Sequence, residues 1–337
     1  MAIDTRIPTR QLGRTSLQLT TLGLGCAAMA GNHRVVEESD LRAAIGTGLQ
    51  AGIRFVDTAP FYGFGRSERA VGDGVRSHVD VVLCTKAGRL LKPEPAPGSV
   101  QAEWPGSLPF NPVYDYGYDG VMRSYQDSLQ RLGVDRIDVL LLHDIGEMQH
   151  GPELNAILFA EAMSGGYRAL DELRRSGDVQ AIGLGVNERK VCLAALEHGD
   201  WDAFLLAGRY TLLEQDPLAD LMPACEKAGT GIILGGPYNS GLLVGGDTWN
   251  YARAPTEVLD RARRIAAVCE SHGVPMPAAA LQFPLGHPIV ASVIPGPRSA
   301  AEARQNAEWF DTEIPHGLWS DLAGEALLHP DAPLPGA

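Results

Sequence analysis

Four residues of complementary chemistry stand where short apolar runs of the sequence end. Asp57 closes Phe55-Val56, Tyr62 follows in the next turn, Lys86 follows the run 81–85, and His143 follows Leu140-Leu141-Leu142. A free phenol titrates near 10, too high to exchange protons readily at neutral pH. A lysine cation within a few ångströms favours the phenolate and lowers that value, and a carboxylate can hold the lysine. A lysine buried after such a strand needs that partner, and Asp57 is positioned to supply it. A nearby histidine donates a hydrogen bond to a substrate oxygen. Together Asp57, Tyr62, Lys86 and His143 form a proton donor and acceptor beside an oxygen-binding group, suited to carbonyl reduction or alcohol oxidation. Any one of them alone is more readily structural; their common position at strand ends favours chemistry.

These side chains meet only if their strands are neighbours with ends on one side. The chain repeats one pattern: helix-like periodicity, then a glycine, then a run of apolar residues without polar alternation. Glycine just past a helix supplies the left-handed cap, and apolar runs without alternation suit parallel strands covered on both faces. The runs predict strands at 22–25, 55–57, 81–85, 139–142, 181–186, 203–206, 231–234 and 292–294. Helices are expected at 39–51, 118–131, 167–175, 218–227 and 256–271. Eight such units make a single (β/α)8 TIM barrel spanning 1–337, with no composition shift to mark a second domain. A doubly wound sheet is the alternative, but Leu22-Gly23-Leu24-Gly25-Cys26 lacks the third glycine of its phosphate turn. Two long segments, 88–116 and 235–254, follow strands and so lie on the barrel face where substrates bind. Their aromatics, including Trp104, Tyr114 and Trp249, suit lids that close over a ligand.

Composition removes other classes. A hydrophobic fraction of 45% excludes wholesale disorder. A net charge of −13, with no basic run longer than a pair, disfavours nucleic acid and anionic membranes. No stretch approaches the roughly 18 apolar residues of a membrane helix. Met1 to Arg14 is polar, without the apolar core of a signal peptide. Five cysteines without close pairs fit reduced thiols, so a cytoplasmic location is expected. His143 and His150 lack the spacing of a metal site, and no metal is expected. Oligomeric state is not readable.

The stretch Gly52-Ile53-Arg54-Phe55-Val56-Asp57-Thr58-Ala59-Pro60-Phe61-Tyr62-Gly63, Lys86 in Thr85-Lys86 and His143 in Leu142-His143-Asp144 together resemble the aldo-keto reductase family. The resemblance runs from Gln11-Leu12-Gly13 to Asn306, with residues 10–25 similar to that family's N-terminal β-hairpin and first strand. It implies that Asp57, Tyr62, Lys86 and His143 are catalytic. It also implies a nicotinamide dinucleotide held by Asn187 and Tyr210 near the nicotinamide. The glutamine usual three residues before that tyrosine is Ala207 here. Gly235, Gly236, Pro237, Tyr238, Gly241 and Leu242 resemble the pyrophosphate-covering loop, and Pro295, Gly296, Arg298, Glu302 and Asn306 the adenosine end. Ser299 in that last segment also reads as a helix N-cap. Glu302 stands where many NADP-preferring members have arginine, so NAD is favoured, with NADP as the alternative. Residues 143–151 and 236–241 resemble the branch of aldose dehydrogenases acting on L-fucose or D-threo-aldose at C1. L-galactose dehydrogenase and a pyridoxal 4-dehydrogenase giving 4-pyridoxolactone belong there too. The substrate implied is a small sugar or pyridoxal-like hemiacetal, with Phe61, Trp104, Tyr114 and Trp249 against it. A general aldehyde or ketone reductase and a non-catalytic cofactor-sensing subunit are the other readings.

Overall fold

The computed structural model describes residues 7–336; part of the polar N-terminal stretch, 1–6, lies outside it. A hairpin opens the described chain, Thr9–Gln11 paired antiparallel with Gln18–Thr20. Its Leu12, Leu17 and Leu19 are buried against Phe55, Cys84, Val139 and Leu141 from the strands, so the hairpin plugs the barrel floor. Gly13 makes this possible. It has φ +51°, and a Cβ there would stand 2.7 Å from the carbonyl oxygens of Asp202 and Gly229.

The barrel strands are β1 (Leu24–Gly25), β2 (Phe55–Asp57), β3 (Val82–Ala87) and β4 (Val139–His143). They continue as β5 (Ala181–Val186), β6 (Ala203–Ala207), β7 (Gly231–Gly235) and β8 (Val290–Ile294). All pair in parallel in sequence order. Leu22 bridges Val293, and Gly23 N–H donates to the Val293 carbonyl at 2.9 Å, which brings the first strand against the last. Phe55, Val139, Leu141, Leu205 and Ile233 with smaller Cys84, Ala181 and Ala203 fill the interior, while Val56, Leu140, Leu142 and Ile182 face outward into a second layer packed under the helices.

The expected (β/α)8 barrel with its N-terminal hairpin is the fold, with differences at element edges. Strand β3 runs to Ala87, so Lys86 lies inside it rather than beyond it. Strand β1 has two residues, and β8 begins at Val290. The helix expected at 218–227 is divided into a short 3-10 turn, Asp216–Ala219, and a helix, Leu221–Ala228. Asp220 divides them, its side chain accepting from the Leu221 N–H. The segment 88–116 is not irregular: it holds a hairpin, Arg89–Lys92 with Asn111–Tyr114, and a helix, Gly98–Glu103. The segment 235–254 holds a tight helical turn, Asn239–Val244, and a small hairpin, Thr248–Trp249 with Ala252–Arg253. Among the described residues no helix is long and apolar enough to cross a membrane.

Candidate active site

Strand alternation aims the four expected residues at one point. Phe55 is inside the barrel, so Asp57, two residues on, is inside as well; the same step places Lys86 above Cys84 and His143 above Leu141. Neighbouring β5 offers glycine at this level. A Cβ on Gly185 would come within 3.0 Å of Lys86 Cε and 3.2 Å of Cδ, so the missing side chain is the space the lysine stem fills. The Lys86 ammonium donates to Asp57 Oδ1 at 2.7 Å, to Oδ2 at 2.8 Å and to the Thr58 carbonyl at 2.9 Å. Three protons meet three oxygens, which is what a buried ammonium requires.

Tyr62 completes the group. Lys86 Nζ is 4.7 Å from its ring centre, and the His143 ring meets it edge-on at 5.6 Å. On its other side Trp104 stacks at 5.8 Å with 20° between planes. Burial pushes the Tyr62 phenol up, Lys86 pulls it down, and the net direction is upward. The lysine therefore limits a rise rather than lowering the phenol below its ordinary value, contrary to the simple expectation from charge. Burial works against the Lys86 ammonium, but Asp57 and then Tyr62 more than offset it, so it stays charged. Burial, then Arg89 and Lys86, push the His143 imidazole well below its usual value, so it is neutral. A protonated phenol over a fixed cation, beside a neutral imidazole, can pass a proton to or from one oxygen while a second group hydrogen-bonds it.

A groove of about 630 Å³ leads away from Tyr62 across the barrel mouth. Gly25, Gly235, Gly236, Gly241 and Gly296 line it, together with Pro237 and Tyr238. Arg298, Glu302 and Asn306 stand along it. The Arg298 Nε is buried without a partner, and Tyr238 donates to Asn306 Oδ1 at 2.7 Å. A long glycine-lined groove with an unmatched cation along its wall fits a dinucleotide, its diphosphate lying over the glycines. Glu302 also accepts from the Arg298 N–H at 2.7 Å, while Ser299 caps the Glu302 N–H. The capping and groove-lining positions are thus held by the same residues.

Several expected residues lie elsewhere. Tyr210 is fully buried against Phe283 and His287 and does not line the groove; its φ of +56° turns the side chain away. Leu242 is buried in the outer layer, and Pro295 is not among the groove-lining residues. Asn187 lines an adjoining cavity of about 110 Å³ with Tyr251. Trp104 is a buried support for Tyr62 rather than a lid, and Trp249 turns inward to donate to Glu214 at 3.1 Å. Phe61 lies under the Arg89 guanidinium, 3.8 Å away, and Tyr114 is half-exposed beside the same cation at 5.0 Å. The sequence reading missed Asn32 and His33 at the groove, and took Tyr251 only as one aromatic of the lid-like segment 235–254. Tyr251 sits at the tip of the small hairpin, where a two-residue turn directs it outward, and its ring meets His33 at 6.2 Å.

The profile of the Aldo/keto reductase family matches residues 21–323, and the chain belongs to that family and is an oxidoreductase of its kind. It is 42% identical to pyridoxal 4-dehydrogenase of Microbacterium luteolum over 95% of this chain and 97% of that protein. It is 38% identical to D-threo-aldose 1-dehydrogenase of a Pseudomonas species, over 93% of this chain and 95% of that one. L-galactose dehydrogenase of Arabidopsis thaliana is 26% identical over 90% of this chain and 88% of its own. The fold is also that of an aldo-keto reductase from Bacillus halodurans in its holo form, with a TM-score of 0.73 at 23% identity, covering 96% and 97% of the two chains.

Proposed function

We propose that the protein oxidises a small cyclic hemiacetal to its lactone with NAD, the substrate being an aldose of the L-fucose or D-threo-aldose type oxidised at C1. The observation that carries the reading is Tyr62 above the Lys86–Asp57 pair, beside neutral His143, at the inner end of a dinucleotide-sized groove. Tyr62 takes the proton of the hemiacetal hydroxyl, and Lys86 stabilises the phenolate that must exist at that moment. His143 donates a hydrogen bond to the same oxygen. The carbon loses a hydride as the oxygen loses its proton, so the ring leaves as the lactone two electrons poorer. The nicotinamide, when bound, supplies the hydride acceptor. Gly235, Gly236 and Gly241 would hold its diphosphate, Arg298 and Glu302 its adenosine end, and Asn187 its carboxamide. The Glu302 carboxylate would accept from a ribose hydroxyl and would repel a 2′-phosphate, which favours NAD.

Oxidation of pyridoxal to 4-pyridoxolactone is the second reading. The relative that is 42% identical over 95% of this chain favours it. Both readings use the same proton path. Turnover with NAD against L-fucose, D-threo-aldoses, L-galactose and pyridoxal, with product mass measured, separates them. Lactone from an aldose at kcat/KM well above that for pyridoxal supports the first reading, and the reverse order the second. Reduction of simple carbonyls without any lactone formation would overturn both.

A further inference from the structure

We propose that Arg89 and Asp144 are a positioning pair for His143: Arg89 pins the Asp144 carboxylate against the Nε2 edge of the imidazole, fixing the Nε2–H tautomer, and cancels the charge that would otherwise protonate the ring. One oxygen carries the arrangement. Asp144 Oδ2 is 2.5 Å from an Arg89 terminal nitrogen and 3.4 Å from His143 Nε2. At 3.4 Å the imidazole N–H is oriented toward the carboxylate without a tight bond, and remains free to turn to a substrate oxygen. The opposite tautomer would set a nitrogen lone pair against a carboxylate and leave a buried N–H at Nδ1 with no acceptor, since Nδ1 has no partner.

The backbone is built for this placement. Asp144 has φ +51°, a left-handed conformation that aspartate tolerates better than most residues, and it turns the carboxylate back beside the preceding histidine. Arg89 follows β3 by two residues. Its guanidinium lies over the Phe61 ring and beside Tyr114, and is 3% exposed, so it is held in place from three sides. The other groups around His143 act in the same sense or not at all. Lys86 is a cation already paired with Asp57, and Tyr62 is a protonated phenol. Tyr116 donates to the His143 carbonyl at 2.7 Å and shares its hydroxyl with His150. Tyr251 lies close enough to Asp144 to feel its charge. Among the described residues Asp144 is the carboxylate paired with the imidazole, and Arg89 is its counter-ion. The burial, Arg89 and Lys86 effects that keep the ring neutral agree with this geometry.

The inference rests on His143 standing beside the reacting oxygen, but its test does not depend on turnover. The protein has nine histidines, and nitrogen-15 labelling of their rings, with His143→Gln to assign the signal, reports both tautomer and protonation. In the wild type His143 should remain Nε2–H and neutral between about pH 5.5 and 8. In Arg89→Gln the uncompensated carboxylate should raise its titration by about 1–3 units, into that range. Arg89→Gln/Asp144→Asn should return it to neutral throughout. Should Arg89→Gln fail to fold by circular dichroism, Asp144→Asn alone is read for tautomer, where an Nδ1–H fraction absent from the wild type is expected, limited by the lack of an acceptor at Nδ1. An unmoved titration in Arg89→Gln, a double variant that does not reverse it, or an undisturbed Nε2–H tautomer in Asp144→Asn would overturn the proposal.

Discussion

Tyr62 is asked to lose its proton in a place that resists losing it. Tyr62→Phe should lower turnover by about 10²–10⁴-fold while NADH binding, followed by fluorescence, stays within a few fold. Turnover near wild type would remove the tyrosine from the proton path. Because burial raises the phenol and Lys86 opposes that rise, single-turnover oxidation should climb with pH through the neutral range without levelling off. The Asp57→Asn/Lys86→Met pair removes both charges. Since Lys86 is the stronger influence, the climb should move to higher pH; an unmoved profile would mean the two residues are uncoupled. At the other end of the groove, Glu302→Arg should raise NADP affinity relative to NAD, as a cation replaces an anion facing the 2′-phosphate. The same change removes a helix-capping contact, so the affinity ratio should be judged beside a thermal melt. An unchanged ratio would place Glu302 away from the adenosine ribose.

At the scale of elements, the site also depends on β5, which bears none of the four side chains. Gly185→Ala would push a methyl group against the Lys86 stem, and the lysine must shift toward Tyr62 or away from Asp57. The stem has to give by a few tenths of an ångström, so turnover should fall about severalfold, with the fold retained by circular dichroism. Wild-type rates would show that the stem has room to spare. What the sequence made legible follows the same logic. Position at or near the end of a short apolar run suffices to find Asp57, Lys86 and His143. Helices such as Arg66–Val75 were missed because two glycines lower helix propensity and few of its residues are apolar, although one face is buried. Tyr210 and Trp249 were misplaced for a different reason. Tyr210 itself has a positive φ, Trp249 lies on a short strand directly before the positive-φ pair Asn250-Tyr251, and pattern alone does not report φ. Arg89 left no signal, since its meaning comes from Asp144, fifty-five residues later in the chain.

The whole molecule separates support from chemistry along the barrel axis. The hairpin leucines fill the floor, and Tyr62 lies at the opposite mouth. Leu19→Ala should destabilise the protein by about 2–5 kcal/mol, read from urea midpoints, while kinetic constants of the folded enzyme stay unchanged. A change in KM for substrate would mean the floor packing reaches the mouth. The mouth itself lacks such independence, because Trp104, which braces Tyr62, comes from the segment inserted between β3 and β4 rather than from the barrel. Exchange of that segment with a relative's, a natural route to a new substrate range, would therefore remove one wall of the proton donor along with the old specificity. A graft at this position has to carry its own aromatic brace at the place of Trp104. Evolution of this mouth is then constrained in the same way: the segment can change its tip freely, but its inner turn is inherited with the tyrosine.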